Sequence, residues 1–302
     1  MAPAARHALW HRDRHQGRDQ LPCRSGRGAA HGGPDRGGRV NVSSPDQDRH
    51  AAYLATRHFG SLDGLRFLCI SLVIWHHVPI WHGFDPLFFS RGHTGVDFFF
   101  VLSGFLITTL LLREEGRDGR FSLRGFYWRR ILRIVPIYFF VVTVAAVCEI
   151  GIKGDFRNLD ILPYYFLFMA NFIDGRNIGF LDPTWSLAVE EQYYLIWPAL
   201  LLLVSRRWIV PVLIGLIGWN FAIQLDLFDL VGITAVAVGP LSFGMDGPTY
   251  APILMGSLVA IVLHAPAGFA LLSRLTGFRP APWLWLGLLC LAYAALPQIL
   301  RG

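Results

Sequence analysis

Charged residues are scarce in this sequence. Only 16% of the 302 residues are Asp, Glu, Lys or Arg, against about 25% in ordinary soluble domains. Apolar residues make up 53% of the chain and the mean hydropathy is positive. This balance excludes an ordinary soluble domain and predicts an integral membrane protein. The length is enough for roughly eight to ten spans of about 20 residues each.

Paired cysteines and the common motifs of soluble enzymes are also missing. The four cysteines are scattered without paired spacing and three lie in apolar segments, which excludes a disulfide framework or a zinc site. The sequence has no Walker loop, no H-E-x-x-H and no dinucleotide fingerprint, and G-x-S-x-G is absent. We therefore expect no metal and no tightly bound cofactor.

Residues 1–50 contain no Ile and no Phe. They hold nine Arg and five Asp, so they carry +4 of the net charge of +6. Such a segment cannot bury enough apolar area to fold, and it lacks the apolar core of a signal peptide. We interpret it as a disordered basic tail or an over-extended start, followed by a membrane domain over 53–302. Since the charge is concentrated in this tail, it does not indicate a nucleic-acid partner.

The rest of the chain alternates apolar spans with short loops. Candidate spans lie at 65–81, 96–112, 131–150, 187–204, 208–225, 252–264 and 283–300. Residues 161–173 are apolar but short for a crossing, and 230–245 are ambiguous. The fold class predicted is all-α, a polytopic helical membrane bundle of about eight spans.

Orientation follows from the arginines. Residues 113–133 hold seven Arg and three acidic residues, so the 113–130 loop is expected in the cytoplasm together with the N-terminus. The Arg206-Arg207 pair also favours the cytoplasm, which requires that 161–173 does not fully cross. The localisation predicted is a multi-pass protein of the cytoplasmic (inner) membrane.

The stretch LDGLRFLCISLVIWHHVPIW (62–81) carries ionisable residues that are costly inside a span. On a helix, Asp63, Arg66 and His77 lie within about 60° of one another, whereas His76 points about 100° away from His77. A neutral imidazole suits a general base near pH 7. The alternative is a structural histidine bonded to a neighbouring helix.

Three further groups stand out. RGHTGVDFFFVLSGFLIT (91–108) contains Asp97 and a Ser103-Gly104 pair, and small residues of this kind also permit close helix packing.

FYWRRILRIVPIY (126–138) places Arg130 and Arg133 on one face, where they suit phosphate or anchor the span in anionic lipid. DPTWSLAVEEQYYLIWP (182–198) places Glu190 at the start of a span, either as a functional carboxylate or as a solvated helix start.

In this order the four groups resemble the acyltransferase-3 family of membrane-bound acyltransferases. LDGLR with a histidine eleven residues after Arg66, GVDFFFVLSGFLI, the paired arginines and TWSLAVEEQYYLIWP each look like a motif of that family. The similarity runs from about residue 59 to 198 and weakly beyond. The sequence departs from the family pattern in three places. The first fifty residues match nothing in it, and the end at Gly302 leaves fewer than the ten spans that are frequent in the family. No basic residue lies near Asp246, where the pattern leads us to expect one.

The resemblance implies transfer of an acyl group, commonly acetyl from acyl-CoA as co-substrate, onto a hydroxyl of a sugar, glycan or lipid-linked acceptor. It implies His77 as general base and Glu190 as a second catalytic residue. The implied site residues comprise a donor-binding set, Arg66, Arg130 and Arg133, and a substrate-positioning set, Asp63, Asp97, Ser103 and Trp185. The alternatives are a proton-coupled transporter or flippase, or an inactive family member.

Overall fold

A computed structural model describes residues 45–56, 59–77, 93–173, 175–225, 227, 235–238, 240–244, 250–288 and 291. The helices are α1 (Pro45–Ala55), α2 (Gly60–His77), α3 (His93–Asp118), α4 (Leu123–Ala146), α5 (Leu162–Phe166), α6 (Thr184–Leu203), α7 (Arg206–Gln224), α8 (Ala251–His264) and α9 (Pro266–Thr276). A π-helical turn, Val147–Ile152, extends α4, and three 3-10 turns lie at Leu159–Ile161, Ala170–Phe172 and Gly179–Leu181.

The described residues are predominantly helical, as the composition predicts. The one departure lies in the ambiguous region 230–245, where β1 (Ala235–Val238) pairs antiparallel with β2 (Leu241–Gly244). Val238 faces Leu241 at the turn of this hairpin and Ala235 faces Gly244 at its open end.

Three helices in the described part are long and apolar enough to cross a membrane: α3, α4 with its π-helical extension, and α7. The number reaches five if two bent helix pairs, α1 with α2 and α8 with α9, each count as one span. Several apolar helices thus fit a membrane protein, but the expected count of about eight is not confirmed. The span expected at 283–300 lies mostly outside the described residues.

The loop predicted between spans two and three is mostly helical. α3 continues to Asp118 and α4 begins at Leu123, because Arg and Glu are good helix formers and need no apolar surroundings. Ser122 caps α4 by accepting a hydrogen bond from the Gly125 amide at 3.1 Å. The Arg-rich segment is therefore two helix ends joined by a four-residue turn.

α3 and α8 pack at very close range through two glycines. A Cβ at Gly104 of α3 would overlap the Ile253 carbonyl of α8, and a Cβ at Gly256 would overlap the Val101 carbonyl in return. Small residues let helix backbones approach in this way. The Ser103-Gly104 pair therefore permits packing, as one interpretation held, and does not interrupt α3.

A buried hydroxyl network joins α3, α6 and α8 beside these glycines. The Trp197 indole donates to Thr108 Oγ1 at 2.8 Å, and Tyr193 OH lies 2.5 Å from Ser257 Oγ. Ser257 also donates to the Ile253 carbonyl of its own helix at 3.0 Å. Hydrogen bonds of this kind hold helices together where apolar burial alone cannot.

Residues 161–173 form short turns rather than a span, which agrees with the expectation that this segment does not cross. α5 has only five residues, and Phe168 adopts a φ of 55°, a left-handed conformation that is uncommon outside glycine. The Phe168 ring stacks on Tyr138 at 4.2 Å and its carbonyl accepts from Gln192 Nε2 at 2.7 Å.

The segment interpreted as a disordered tail lies outside the described residues up to position 44. Its last six residues, 45–50, belong to α1. Arg113 of α3 donates to the Tyr53 carbonyl at 2.7 Å and to the Thr56 carbonyl, and its guanidinium lies over the Phe59 ring at 4.8 Å. These contacts hold the end of α1 against α3.

Candidate active site

Glu190 is a buried carboxylate on α6, with only 6% of the residue exposed. The Ser103 hydroxyl of α3 lies beside it, and the guanidinium groups of Arg130 and Arg66 act on its charge. Three helices besides its own therefore place polar groups around Glu190. This excludes the interpretation of Glu190 as a solvated helix start.

Arg130 connects this carboxylate to the surface. Its guanidinium lies 3.6 Å from the centre of the Tyr194 ring and 5.8 Å from that of Phe126. Cation–π contacts at this range stabilise a partly desolvated charge. Because Tyr194 is one turn after Glu190 on α6, the same helix face supplies the ring that contacts Arg130 and the carboxylate on whose charge Arg130 acts.

Several polar atoms around Glu190 are buried without a hydrogen-bond partner among the described residues. They are Ser103 Oγ, Glu190 Oε1, Glu191 Oε1 and Arg66 Nε. A folded protein normally satisfies such atoms with protein or water, since leaving one unpaired costs about 1–3 kcal/mol. Donors and acceptors left open in one place can receive a polar ligand.

A cavity of about 910 Å³ opens next to Arg130. It lies between the end of α1, the last turns of α3 and the first turns of α4. Five arginines and one acid, Glu114, contribute to its walls, the arginines being Arg113, Arg117, Arg129, Arg130 and Arg133. The excess of positive charge suits a polyanionic ligand.

The five arginines differ in the ion pairs and hydrogen bonds that they already make within the protein. Arg117 pairs with Asp118 at 2.8 Å, Arg129 pairs with Glu114 at 3.4 Å, and Arg113 is bonded to carbonyls of the α1 segment. Among the described residues Arg133 has no ion pair or hydrogen bond and its side chain is exposed. Arg133 is therefore the arginine of this cavity best able to bind an external anion.

His77 is the last residue of α2, and its side chain is exposed among the described residues. Its Nδ1 lies 2.8 Å from the Val73 carbonyl. A carbonyl oxygen only accepts, so Nδ1 carries a proton in this contact, and in the neutral ring the lone pair is then on Nε2. That is the tautomer a general base needs.

The structure does not bring His77 and Glu190 together. Arg66, which acts on Glu190, precedes His77 by eleven residues, which is about 16 Å along α2. The predicted stripe of Asp63, Arg66 and His77 is present on this helix, since all three lie within Gly60–His77. The two predicted catalytic residues, His77 and Glu190, thus lie at different heights along the axis of α2.

The remaining predicted residues lie around these levels. Asp63 and Asp97 are exposed near the starts of α2 and α3. Trp185 at the start of α6 contacts Phe100 edge-to-face at 6.2 Å, and Ser103 belongs to the Glu190 cluster. Trp185 therefore packs against the stretch of α3 that carries Ser103.

Glu191, Arg113, Arg117 and Arg129 were not predicted as site residues. Glu191 points about 100° away from Glu190 on the helix, yet Arg130 acts on both carboxylates. The sequence does indicate the three arginines, since the high density of arginine in 113–133 predicts a basic surface there.

A family model described as an acyltransferase domain matches residues 59–301. The chain belongs to the acyltransferase-3 family. The match covers every helix from α2 to α9, and so it includes both the Glu190 cluster and His77 of this acyltransferase-3 chain. No solved structure matches it.

Three curated relatives are similar to part of this acyltransferase-3 chain. Peptidoglycan O-acetyltransferase OatA of Listeria monocytogenes is 33% identical over 51% of the chain. A putative O-acetyltransferase of Staphylococcus aureus strain COL is 31% identical over 57%, and O-acetyltransferase OatA of S. aureus strain NCTC 8325 is 28% identical over 73%. The matched residues span 25%, 29% and 37% of these relatives' own lengths.

Proposed function

We propose that this protein is a membrane-bound O-acyltransferase that moves an acetyl group from acetyl-CoA to a carbohydrate hydroxyl. Membership of the acyltransferase-3 family supports the reaction class. The names of the relatives, which are O-acetyltransferases, favour acetyl as the group. A glycan acceptor is favoured because one relative is named for peptidoglycan.

The observation that carries the proposal is the arginine-lined cavity with Arg130 at its inner wall. Coenzyme A is a polyanion, and its phosphates suit the exposed Arg133 fork. The buried carboxylate of Glu190 attracts the guanidinium of Arg130. Arg130 therefore contributes a positive charge of fixed position to the wall of the cavity. Arg66 lies deeper, at the level of Glu190, and is placed to bind the part of the donor that extends into the bundle.

The unpartnered atoms around Glu190 support the same path for the donor. Ser103 Oγ and Arg66 Nε offer hydrogen-bond donors, and Glu190 Oε1 offers an acceptor. The amide groups of the coenzyme's arm carry both a donor and an acceptor. A donor molecule threaded past this cluster would satisfy groups that the described protein leaves open.

His77 acts as the general base of the transfer. Its Nε2 takes the proton from the acceptor hydroxyl as the hydroxyl oxygen attacks the acyl carbonyl carbon. The carbon–sulfur bond then breaks, the ester remains on the acceptor, and the CoA thiolate recovers the proton from the imidazolium. Asp63, Asp97, Ser103 and Trp185 position the substrates, and Glu190 orients the donor through Arg130.

We place the arginine cavity on the cytoplasmic side of the inner membrane and His77 toward the opposite side. Acetyl-CoA is made in the cytoplasm, and the excess of arginine in 113–133 favours that side. The separation of about 16 Å between Arg66 and His77 is roughly half of a bilayer core. In this arrangement the donor enters from one side and the acceptor hydroxyl approaches from the other.

The test uses the purified full chain in liposomes with acetyl-CoA labelled in its acetyl group. Peptidoglycan fragments, simple sugars and buffer alone serve as acceptors, and alkali-labile label on the acceptor is measured. The proposal predicts label on a hydroxyl acceptor that depends on acetyl-CoA. Uptake of acceptor into intact vesicles without any consumption of acetyl-CoA would instead indicate a transporter and overturn the proposal.

A further inference from the structure

A second cavity lies on a different face of α6 from the Glu190 cluster. Its volume is about 670 Å³, within the range of sites that hold drug-sized ligands. Ile196 and Leu200 of α6, Leu216 of α7 and Leu254 of α8 form its apolar walls, and the turn around Phe168 closes one end. None of the described residues that line this groove is charged.

The polar side chains at the edge of the groove are already bonded to the protein. Gln192 Nε2 donates to Asn171 Oδ1 at 2.8 Å and to the Phe168 carbonyl, and Gln192 Oε1 accepts from the Tyr250 hydroxyl. Asn220 Oδ1 accepts from the Tyr250 amide at 3.0 Å.

The other two aromatic polar groups of the described lining, on Trp197 and Tyr193, are engaged as well. The Trp197 indole donates to Thr108, and the Tyr193 hydroxyl is bonded to Ser257. Sugar recognition needs polar groups aimed at the ligand, and these are turned toward other residues. The groove therefore presents a hydrocarbon surface to its occupant.

The groove opens on a side of the bundle that the described residues cover little. α7 is one of the helices suited to cross a membrane, and only 11% of its most apolar stretch is buried. Ile196 is 61% exposed although it lines the groove. In a bilayer, the medium that contacts such a face is lipid chain rather than water.

The groove is separate from the acetyl-transfer path. Ile196 is six residues after Glu190, which places it about 120° around α6. The stacked rings of Tyr193 and Trp197, with centroids 5.7 Å apart, lie between the two faces. Among the described residues these two rings separate the Glu190 side of α6 from the groove, whose outer wall, Ile196, is exposed to the surrounding membrane.

We propose that this groove is a binding site for one hydrocarbon chain of a membrane phospholipid, which enters laterally from the bilayer. The chain fills the space between α6, α7 and α8 and completes the contact among these helices. The site does not depend on the proposed acetyl transfer, because none of the groups assigned to that reaction lines the groove.

The experiment places the full chain in vesicles of phosphatidylglycerol and phosphatidylethanolamine doped with a phospholipid that carries a diazirine in its acyl chain. After irradiation, adducts are mapped by mass spectrometry. We expect adducts to concentrate on groove residues such as Met169, Leu200 and Leu254, above the level at exposed Leu195.

Two neighbouring substitutions provide the matched pair. Ile196→Trp fills the groove, whereas Leu195→Trp adds the same ring on an equally exposed position, 64% against 61%, outside the groove. We expect Ile196→Trp to lower groove adducts about tenfold, as expected for a filled apolar pocket, and Leu195→Trp to leave them unchanged. Size-exclusion elution of both variants checks that the fold is kept.

Each remaining outcome overturns the proposal. Groove adducts no more frequent than those at Leu195, or an equal loss in both variants, would mean that the groove holds no specific chain. Protection by palmitoyl-CoA would assign it to an acyl donor, and protection by a polyprenyl phosphate to a lipid-linked acceptor. Crosslinks from the groove to another segment or a second copy would mean that protein covers it.

Discussion

The two ends of α2 are held in different ways, although the sequence places their polar residues on one stripe. Arg66 lies over the Phe99 ring at 5.8 Å and acts on the buried Glu190. His77 is exposed and bonds to a carbonyl of its own helix. Tertiary packing thus fixes the first end, and local backbone geometry fixes the second.

In the proposed mechanism, this difference separates binding from chemistry. The packed end, with Arg130, Glu190 and Ser103, is suited to hold a donor in one position. The exposed end is suited to exchange a proton with an acceptor that arrives from outside. Variants at the packed end should therefore change folding or donor affinity, and variants at His77 should change turnover.

The largest effect is expected where the packed end depends on backbone contact. Gly104→Ala puts a Cβ onto the Ile253 carbonyl, so α3 and α8 must separate, at a cost of about 3 kcal/mol, the upper end of the usual range for overpacking. The matched variant is Gly215→Ala on α7, where nothing lies within 4 Å of the added carbon. Thermal unfolding followed by size exclusion compares the two, and equal stability would exclude the close packing.

Arg133→Ala tests the cavity arginine that has no ion pair or hydrogen bond among the described residues. The loss of a charged phosphate contact of about 1.5–3 kcal/mol should raise the KM for acetyl-CoA about ten- to a hundredfold with less change in kcat. Arg124→Ala removes the same charge from the same helix, but Arg124 does not line the cavity. If both variants raise KM alike, the effect reflects net charge and not a site.

Glu190→Gln tests the buried counter-charge of Arg130. We expect kcat/KM for acetyl-CoA to fall about tenfold, since one lost charge interaction of about 1.4 kcal/mol corresponds to that factor. The check is a double-mutant cycle with Arg130→Gln, because two residues that act on each other's charge couple by about 0.5–3 kcal/mol. Additive effects would show that the two residues act independently.

The smallest effect is expected at the Tyr194 ring. Tyr194→Leu removes the aromatic face over which the half-buried Arg130 lies, a contact of about 0.5–1 kcal/mol, and should raise the KM for acetyl-CoA about two- to fivefold. Tyr194→Phe keeps the face and should stay close to wild type. A loss in the Phe variant equal to that in the Leu variant would assign the effect to the hydroxyl.

Local patterns account for much of this fold. Apolar segments at 96–112, 187–204 and 208–225 predicted α3, α6 and α7, because a long apolar run favours a helix whatever its neighbours are. The residues at which the helices end were less predictable. α3 extends to Asp118 because helix propensity, not hydropathy, decides where a helix stops outside the apolar region.

Sequence patterns named some members of the candidate site but not their arrangement. The resemblance to the acyltransferase-3 family named Arg66, His77, Arg130 and Glu190, and spacing put two of them on one stripe of α2. Nothing in the spacing shows that Arg130 reaches Tyr194 across the bundle, or that Gly104 meets Ile253. Those contacts join segments 64 and 149 residues apart, and only the packed structure brings them together.

The most direct measurement is the turnover of acetyl-CoA-dependent O-acetylation by His77→Ala beside His76→Ala in liposomes at matched protein amounts. His77→Ala should lose about 10²- to 10⁴-fold in kcat, the usual contribution of a general base, with KM for acetyl-CoA unchanged. His76→Ala should retain activity. Near wild-type turnover by a correctly folded His77→Ala variant would contradict the assignment of His77 as the base.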